Sequence, residues 1–259
     1  MSNIALITGA SSGIGRAFAH YHASLGGDVI IVARRKDALQ SLKTELEQQF
    51  GITATVIAQD IGTPEGAHAL YKAVQKAKIQ VDILINNAGF GGHGAFIDRN
   101  LDEDLAMIDL NVKSLVTLTH LVARDMVAQK SGKILNVGST AGMMPGPLQA
   151  TYFATKAYVN SFSQAIDQEM RGQGVTSTVL APGYVHTEFA ATANLEGTGL
   201  VKQKGKTAAQ TAKIGYDAMM RGKLHVVNET MLGFMVNWVI PMAPRRMVMS
   251  MVQGMQKKK

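Results

Sequence analysis

Ile4-Ala5-Leu6-Ile7-Thr8-Gly9-Ala10-Ser11-Ser12-Gly13-Ile14-Gly15-Arg16 runs from a short apolar segment through a glycine-rich turn into a helix-forming stretch over residues 17–25. Glycine lets the chain turn tightly and brings backbone N–H groups close to a bound pyrophosphate, and the N-terminus of the following helix adds a favourable field. The spacing is Gly-xxx-Gly-x-Gly, which differs from the Gly-x-Gly-xx-Gly dinucleotide fingerprint. A tight connection with no ligand would use the same residues; the place of the turn directly after an N-terminal strand favours the phosphate reading.

Further apolar runs of strand length lie at residues 29–32, 53–58, 83–85, 134–137, 177–180 and 224–227, separated by helix-length amphipathic stretches. Continuous apolar runs imply strands covered on both faces. In residues 38–50, Leu39, Leu42, Leu46 and Phe50 recur every three or four positions, and Leu115, Leu118, Leu121 and Val122 repeat the pattern, so each set lies along one side of a helix. Alternating strands and helices with right-handed crossovers give an α/β, Rossmann-type doubly wound parallel sheet of about seven strands with helices on both faces. Ligands in such a fold lie at the carboxyl ends of the strands, beside the switch in strand order.

The 259 residues carry no repeat or linker that marks a boundary, so residues 1–259 read as one domain. With 46% hydrophobic and 17% charged residues the chain buries a sizeable core and does not resemble a disordered chain. Cysteine is absent and the seven histidines show no ligand-like pairing, so no metal site is expected. The net charge of +7 is spread along a chain with only 6% aromatics, which speaks against a nucleic-acid footprint. The opening residues lack the basic segment and apolar length of a signal peptide, and a cytoplasmic location is the expectation. Residues 184–206, with Gly197, Gly199 and Gly205 and few apolar anchors, read as a candidate substrate lid or as a loop; residues 229–259 form a Met-rich C-terminal extension.

The second strand ends in Val32-Ala33-Arg34-Arg35, where an NAD-preferring fold places a carboxylate for the ribose hydroxyls. Arginines there can instead pair with a 2′-phosphate, which favours NADP(H), with Arg34 as first choice and Arg35 as second. Exposed arginines at a helix start are the plainer alternative.

Taken in order, Thr8–Gly15, Asp60, Asn86-Asn87-Ala88-Gly89, Asn111, Ser139, Tyr152-xxx-Lys156, Pro182-Gly183 and Thr187 resemble the motifs of the short-chain dehydrogenase/reductase family. Each motif is short, but the set runs through most of the chain. The resemblance implies that Gly9, Ser11, Ser12, Gly13, Ile14 and Gly15 hold the pyrophosphate half of the cofactor. It implies that Asp60, with Ile61 beside it, meets the adenine, and that Asn87, Ala88 and Gly89 pack by the adenosine half and steady the sheet. Pro182, Gly183, Val185 and Thr187 match the segment that lines the nicotinamide.

Tyr152 and Lys156 stand four residues apart in a helical stretch and so share a face. A phenol with a pKa of about 10 shuttles protons poorly at neutral pH; an adjacent ammonium is expected to draw that pKa down, making Tyr152 general acid for ketone reduction or general base for alcohol oxidation. By resemblance Lys156 also holds the nicotinamide ribose. Ser139 follows the strand over 134–137 and can donate to the substrate oxygen as charge builds there; the family interval selects it over Thr140. Asn111 matches the family asparagine that holds a water linking Lys156 to solvent, though a local helix-bending hydrogen bond would also account for it. Gly138 departs from relatives that carry a serine before Ser139, which puts a secondary hydrogen bond in doubt. His93 and His186 flank the crevice and read as loop histidines.

Phe90, Met143, Met144, Tyr184, Phe189 and Leu195 either line an apolar pocket for a lipophilic or acyl-chain carbonyl or belong to ordinary core. The stretch from Met231 to Met251, broken by Asn237, Pro241, Pro244, Arg245 and Arg246, is not a transmembrane helix. Met247, Met251 and Met255, with Arg245, Arg246 and the terminal Lys257, Lys258 and Lys259, either rest on a membrane surface or partner, or the helix that carries them covers the substrate pocket or a subunit interface. A homodimer or homotetramer is implied by resemblance. The rival to catalysis is a non-catalytic NADP(H)-responsive binding protein, against which intact Ser139, Tyr152 and Lys156 argue; a nucleotide-sugar epimerase would need a longer tail.

Overall fold

A computed structural model describes residues 3–202 and 204–258. Its strands are β1 (Ile4–Thr8), β2 (Asp28–Ala33), β3 (Ala54–Ala58), β4 (Ile83–Asn86), β5 (Gly132–Val137), β6 (Val175–Ala181) and β7 (His225–Val227). They pair in parallel in the order β3-β2-β1-β4-β5-β6-β7, so the sequence order reverses between β1 and β4. That switch leaves a crevice above the carboxyl ends of β1 and β4.

The helices are α1 (Gly13–Ser24), α2 (Lys36–Phe50), α3 (Pro64–Lys76), α4 (Leu101–Ile108), α5 (Leu115–Ala128), α6 (Ala150–Met170), α7 (Phe189–Thr192), α8 (Ala208–Met220), α9 (Thr230–Phe234) and α10 (Arg245–Gln256). Side chains alternate across each strand. Ala5, Ile7, Val29 and Ile31 therefore face a layer with Phe18, Leu39, Leu42, Leu46 and Met219 of α1, α2 and α8. Leu6, Ile30, Val32 and Leu84 face the other layer, with Leu70 and Val74 of α3 and Leu118, Val122 and Met126 of α5. Both faces of the strands are dry, which is why the strands read as unbroken apolar runs.

A buried polar chain ties the central strands together beneath the crevice. Asn86 on β4 donates to Thr119 of α5 (2.8 Å) and to Asn136 of β5 (2.9 Å). Asn136 donates to Ser163 of α6 (3.2 Å), whose hydroxyl meets Ser177 of β6 at 2.9 Å. Because each buried polar atom needs its partner, this chain sets how α5 and α6 sit on the sheet.

Residues 101–128 form one long rod, α4 and α5 joined by a π turn over Asp109–Ser114. By length and composition the rod could cross a membrane, yet Met107, Leu118, Val122 and Met126 are buried within the protein. The segment 184–206 is better anchored than its sequence implied, among its described residues. Ala190, Ala193 and Leu195 are buried against Tyr184, Phe189, Leu200 and Val201, and Thr198 bridges to Lys258. Ala190 and Ala193 carry little hydropathic signal, so these two anchors escaped notice beside the glycines. Gln203 and Lys259, which belonged to that reading and to the basic tail, lie outside the described residues.

Candidate active site

The glycine turn caps the carboxyl end of β1. Gly9 takes a φ of +67°, and a Cβ placed there would lie 2.7 Å from the Asn87 amide. The Asn87 amide donates to the carbonyls of Thr8 (3.0 Å) and Gly9 (3.3 Å), while the Thr8 hydroxyl accepts from the N–H groups of Asn87 and Ala88 (both 3.0 Å). These bonds lock the turn after β1 to the loop after β4 across the switch point. Ser12 sits at the N-cap of α1 in extended conformation, makes no side-chain cap, and no acidic residue enters the first helical turn. The N–H groups at this end of α1 thus keep their donors for an incoming anion. Thr187, in the loop after β6, packs against Gly13.

Tyr152 and Lys156 lie on α6, both buried, with the Lys156 Nζ 5.9 Å from the Tyr152 ring centroid. Ser139, just past β5, donates its hydroxyl to the Pro182 carbonyl (3.4 Å), accepts from the Ala141 N–H (3.0 Å), and lies close enough to the Tyr152 hydroxyl to favour its ionised form. The Lys156 ammonium donates to the Val137 carbonyl at 2.8 Å. Asn111, inside the π turn, donates to the Phe90 carbonyl (2.9 Å) and the Thr155 hydroxyl (3.1 Å) and accepts from the Phe90 N–H (3.1 Å). It clamps the loop after β4 beside α6; π turns of this kind commonly reposition a polar side chain at a ligand site. The four residues singled out as reacting groups are therefore brought together at the carboxyl edge of the sheet.

One electrostatic expectation is reversed. Burial pushes the Tyr152 phenol up to about 12, with the nearby Ser139 side chain opposing it. Burial likewise draws Lys156 down to about 8. The ammonium points at the Val137 carbonyl, and desolvation by burial dominates at the phenol.

A sequence profile described as short chain dehydrogenase matches residues 3–197. The chain belongs to the short-chain dehydrogenase/reductase family. Among relatives, a sulfoacetaldehyde reductase 2 of Chromohalobacter salexigens is 36% identical over 214 residues, covering 82% of this chain and 81% of that protein. A very-long-chain 3-oxoacyl-CoA reductase of Anas platyrhynchos is 34% identical over 190 residues, covering 72% of this chain and only 61% of that longer protein. A solved short-chain dehydrogenase from Sphingobium yanoikuyae in complex with NADPH superposes with a TM-score of 0.84 over 96% of this chain and 95% of that one, at 28% identity.

The donors of this short-chain dehydrogenase fit the nicotinamide dinucleotide that its family uses: an uncapped helix N-terminus, a turn without side-chain bulk at Gly9, and a buried ammonium at Lys156. Arg35 lies over the turn, donating to Ser11 (3.2 Å) and pairing with Glu188 at 3.0 Å. Arg34, the first choice from sequence, is exposed at the end of β2 and makes no side-chain bond among the described residues. Asp60 is exposed at the end of β3, its carboxylate accepting from the Gly62 N–H at 2.8 Å, and Ile61 is buried next to it. Pro182 accepts from the Thr140 N–H (3.0 Å), which pins the loop after β6 to the Ser139 turn, and Gly183 donates to Asn228 at 2.9 Å. Val185 is buried in the same loop.

Asn160 was missed. It lies four residues beyond Lys156 on the same face of α6, donates to the Ser139 carbonyl at 2.9 Å and accepts from the Ser139 N–H at 3.4 Å. Its Oδ1 presses on Gly138 so closely that any Cβ there would collide. The departure at Gly138 thus has a structural cause, and a polar residue at i+4 from Lys156 was the signal available in sequence.

The wall around the phenol is apolar. Tyr152 and Phe153 cluster with Met107, Val248 and Val252, and Phe90, Met144 and Phe189 pack against them. Phe189 meets the Tyr152 ring at 5.4 Å. Tyr184 and Leu195 belong instead to the cluster under α7. Of the three tail methionines read as one stripe, Met255 turns inward to this wall while Met247 and Met251 stay exposed; α10 covers the site. His93 bonds the Gln256 carbonyl at 2.7 Å and so holds the end of α10, and His186 lies edge-on to Tyr184.

Proposed function

We propose that this oxidoreductase reduces the carbonyl of a lipophilic or acyl-chain ketone or aldehyde to the alcohol with NADP(H), working as a homodimer or homotetramer. The observation that carries the reading is the buried, proton-bearing Tyr152 hydroxyl, with Ser139 beside it, within an apolar wall. When bound, the dinucleotide supplies two electrons as hydride. Ser139 donates a hydrogen bond to the carbonyl oxygen and stabilises the charge that grows there. Tyr152 then gives its proton to that oxygen. An alkoxide is a far stronger base than a phenolate, so the transfer runs downhill even from a phenol near 12, which favours the reductive direction.

Lys156 anchors the ribose with its ammonium, and Asn111 keeps the loop at Phe90 in place beside it. Gly9, Ser11, Ser12, Gly13, Ile14 and Gly15 receive the pyrophosphate, Asp60 and Ile61 the adenine, Asn87, Ala88 and Gly89 the adenosine side, and Pro182, Gly183, Val185 and Thr187 the nicotinamide. Arg34 and Arg35 select the 2′-phosphate. The cysteine-free composition suits a reducing compartment such as the cytoplasm.

The test is NADPH oxidation against a panel of ketones, aldehydes, steroids and β-ketoacyl thioesters, with Tyr152→Phe as control. The variant is expected to lose turnover by roughly 10²–10⁴-fold while still binding NADPH. Retained turnover would remove Tyr152 from the role of acid.

A further inference from the structure

α9, the π turn over Met235–Val239 and the 3₁₀ turn over Ile240–Met242 continue as one apolar helical rod, Thr230–Met242. Its inner side is accounted for: Val236 is buried and Ile240 packs on the cluster around Tyr152. Its outer side is equally apolar. Met231, Phe234, Met235, Trp238, Val239 and Met242 follow one another at intervals of three and one, which makes a single stripe, and all six are exposed, with Met231 at 74%, Trp238 at 68% and Met242 at 87%. A helix that is apolar all round belongs in an apolar environment on every side, and here half of that surface faces outward. Met247 and Met251, one turn apart on α10, are exposed as well.

Beyond Glu229, at the N-cap of α9, the charges that follow along the chain have one sign. From Thr230 to the end of the chain stand Arg245, Arg246, Lys257, Lys258 and Lys259, with no Asp or Glu. Arg245, Arg246, Lys257 and Lys258 are all exposed, Lys258 with its ammonium on the Asn194 side chain and the two arginines without an acidic partner among the described residues. We propose that this face seats on an anionic lipid bilayer, with the stripe in the acyl boundary and the cations at the headgroups. A second copy of the chain meeting this face across a two-fold axis would oppose cation to cation. At about 1.5 Å per residue the rod is about 20 Å long, short of a hydrocarbon core of about 30 Å, so it lies in the plane of the surface. The inference is independent of the carbonyl chemistry, and either can fail without the other.

Trp238 is the only tryptophan in the chain, so its emission reports on this patch alone. The full chain is mixed with vesicles of phosphatidylcholine, with or without phosphatidylglycerol, and followed by tryptophan emission and by flotation. With phosphatidylglycerol at low salt we expect a blue shift and co-flotation. Both should weaken at high salt and fall about tenfold or more in the Arg245→Glu/Arg246→Glu variant. The salt arm uses the unaltered chain, so the outcome does not depend on the variant folding. Absence of shift and flotation, or equal partition onto both vesicle types, overturns the proposal. So does a concentration-dependent blue shift without lipid that comes with a doubled mass by light scattering and is lost in Met242→Glu, which would assign the face to a second copy.

Discussion

Lys156 keeps its proton only below about pH 8 in this site, because burial disfavours the ammonium. Tyr152, pushed the other way to about 12, stays protonated throughout that range. If the lysine cation anchors the cofactor, kcat/KM for reduction should be level through neutral pH and fall above about 8, with the lysine as the group lost. Lys156→Arg, which cannot deprotonate in this range, should lower the plateau yet abolish the alkaline fall; an unchanged fall would assign it elsewhere. A second residue-scale expectation concerns Arg35. Its exposed ion pair with Glu188 is of the weak kind, so a cofactor that carried a 2′-phosphate would displace the carboxylate at little cost. Arg35→Ala should raise the KM for NADPH far more than that for NADH, and Glu188→Gln should lower the KM for NADPH less than fivefold, as steady-state kinetics with both dinucleotides would reveal.

β5 and α6 meet where Gly138 backs onto Asn160, and that contact sets Ser139 at its angle to the phenol. Gly138→Ser should therefore cost stability on the order of 1–3 kcal/mol through overpacking and cut turnover, and Asn160→Ala in the same chain should recover the packing in a thermal melt. Nothing in the local pattern foretells such a contact, since it joins a strand end to a helix face twenty-odd positions later, and only the polar i+4 neighbour of Lys156 hints at it. The strands were legible because burial on both faces leaves unbroken apolar runs, and the Tyr152–Lys156 pair because four residues make about one helical turn. The direction of the Tyr152 shift was not legible. It follows from burial of the ring, which meets Phe189 and shares a cluster with Met107, Val248 and Val252, an arrangement that only the packed chain creates.

Across the whole molecule, the sheet and its two apolar layers hold one side of the crevice, while the opposite side is assembled from pieces far apart in sequence. Thr198 bridges Lys258, Lys258 also reaches the Asn194 side chain at 2.6 Å, His93 holds the Gln256 carbonyl, and the Gln149 amide at the head of α6 donates to the Gln256 side chain at 2.7 Å. Segments tied in this way cannot loosen one at a time. In amide hydrogen exchange the backbone around Leu195 and the backbone around Val252 should therefore open with the same free energy, below that of β1 and β4. They should gain protection together when a slow substrate binds. The molecule would then breathe through a single door whose two leaves lie at opposite ends of its last third.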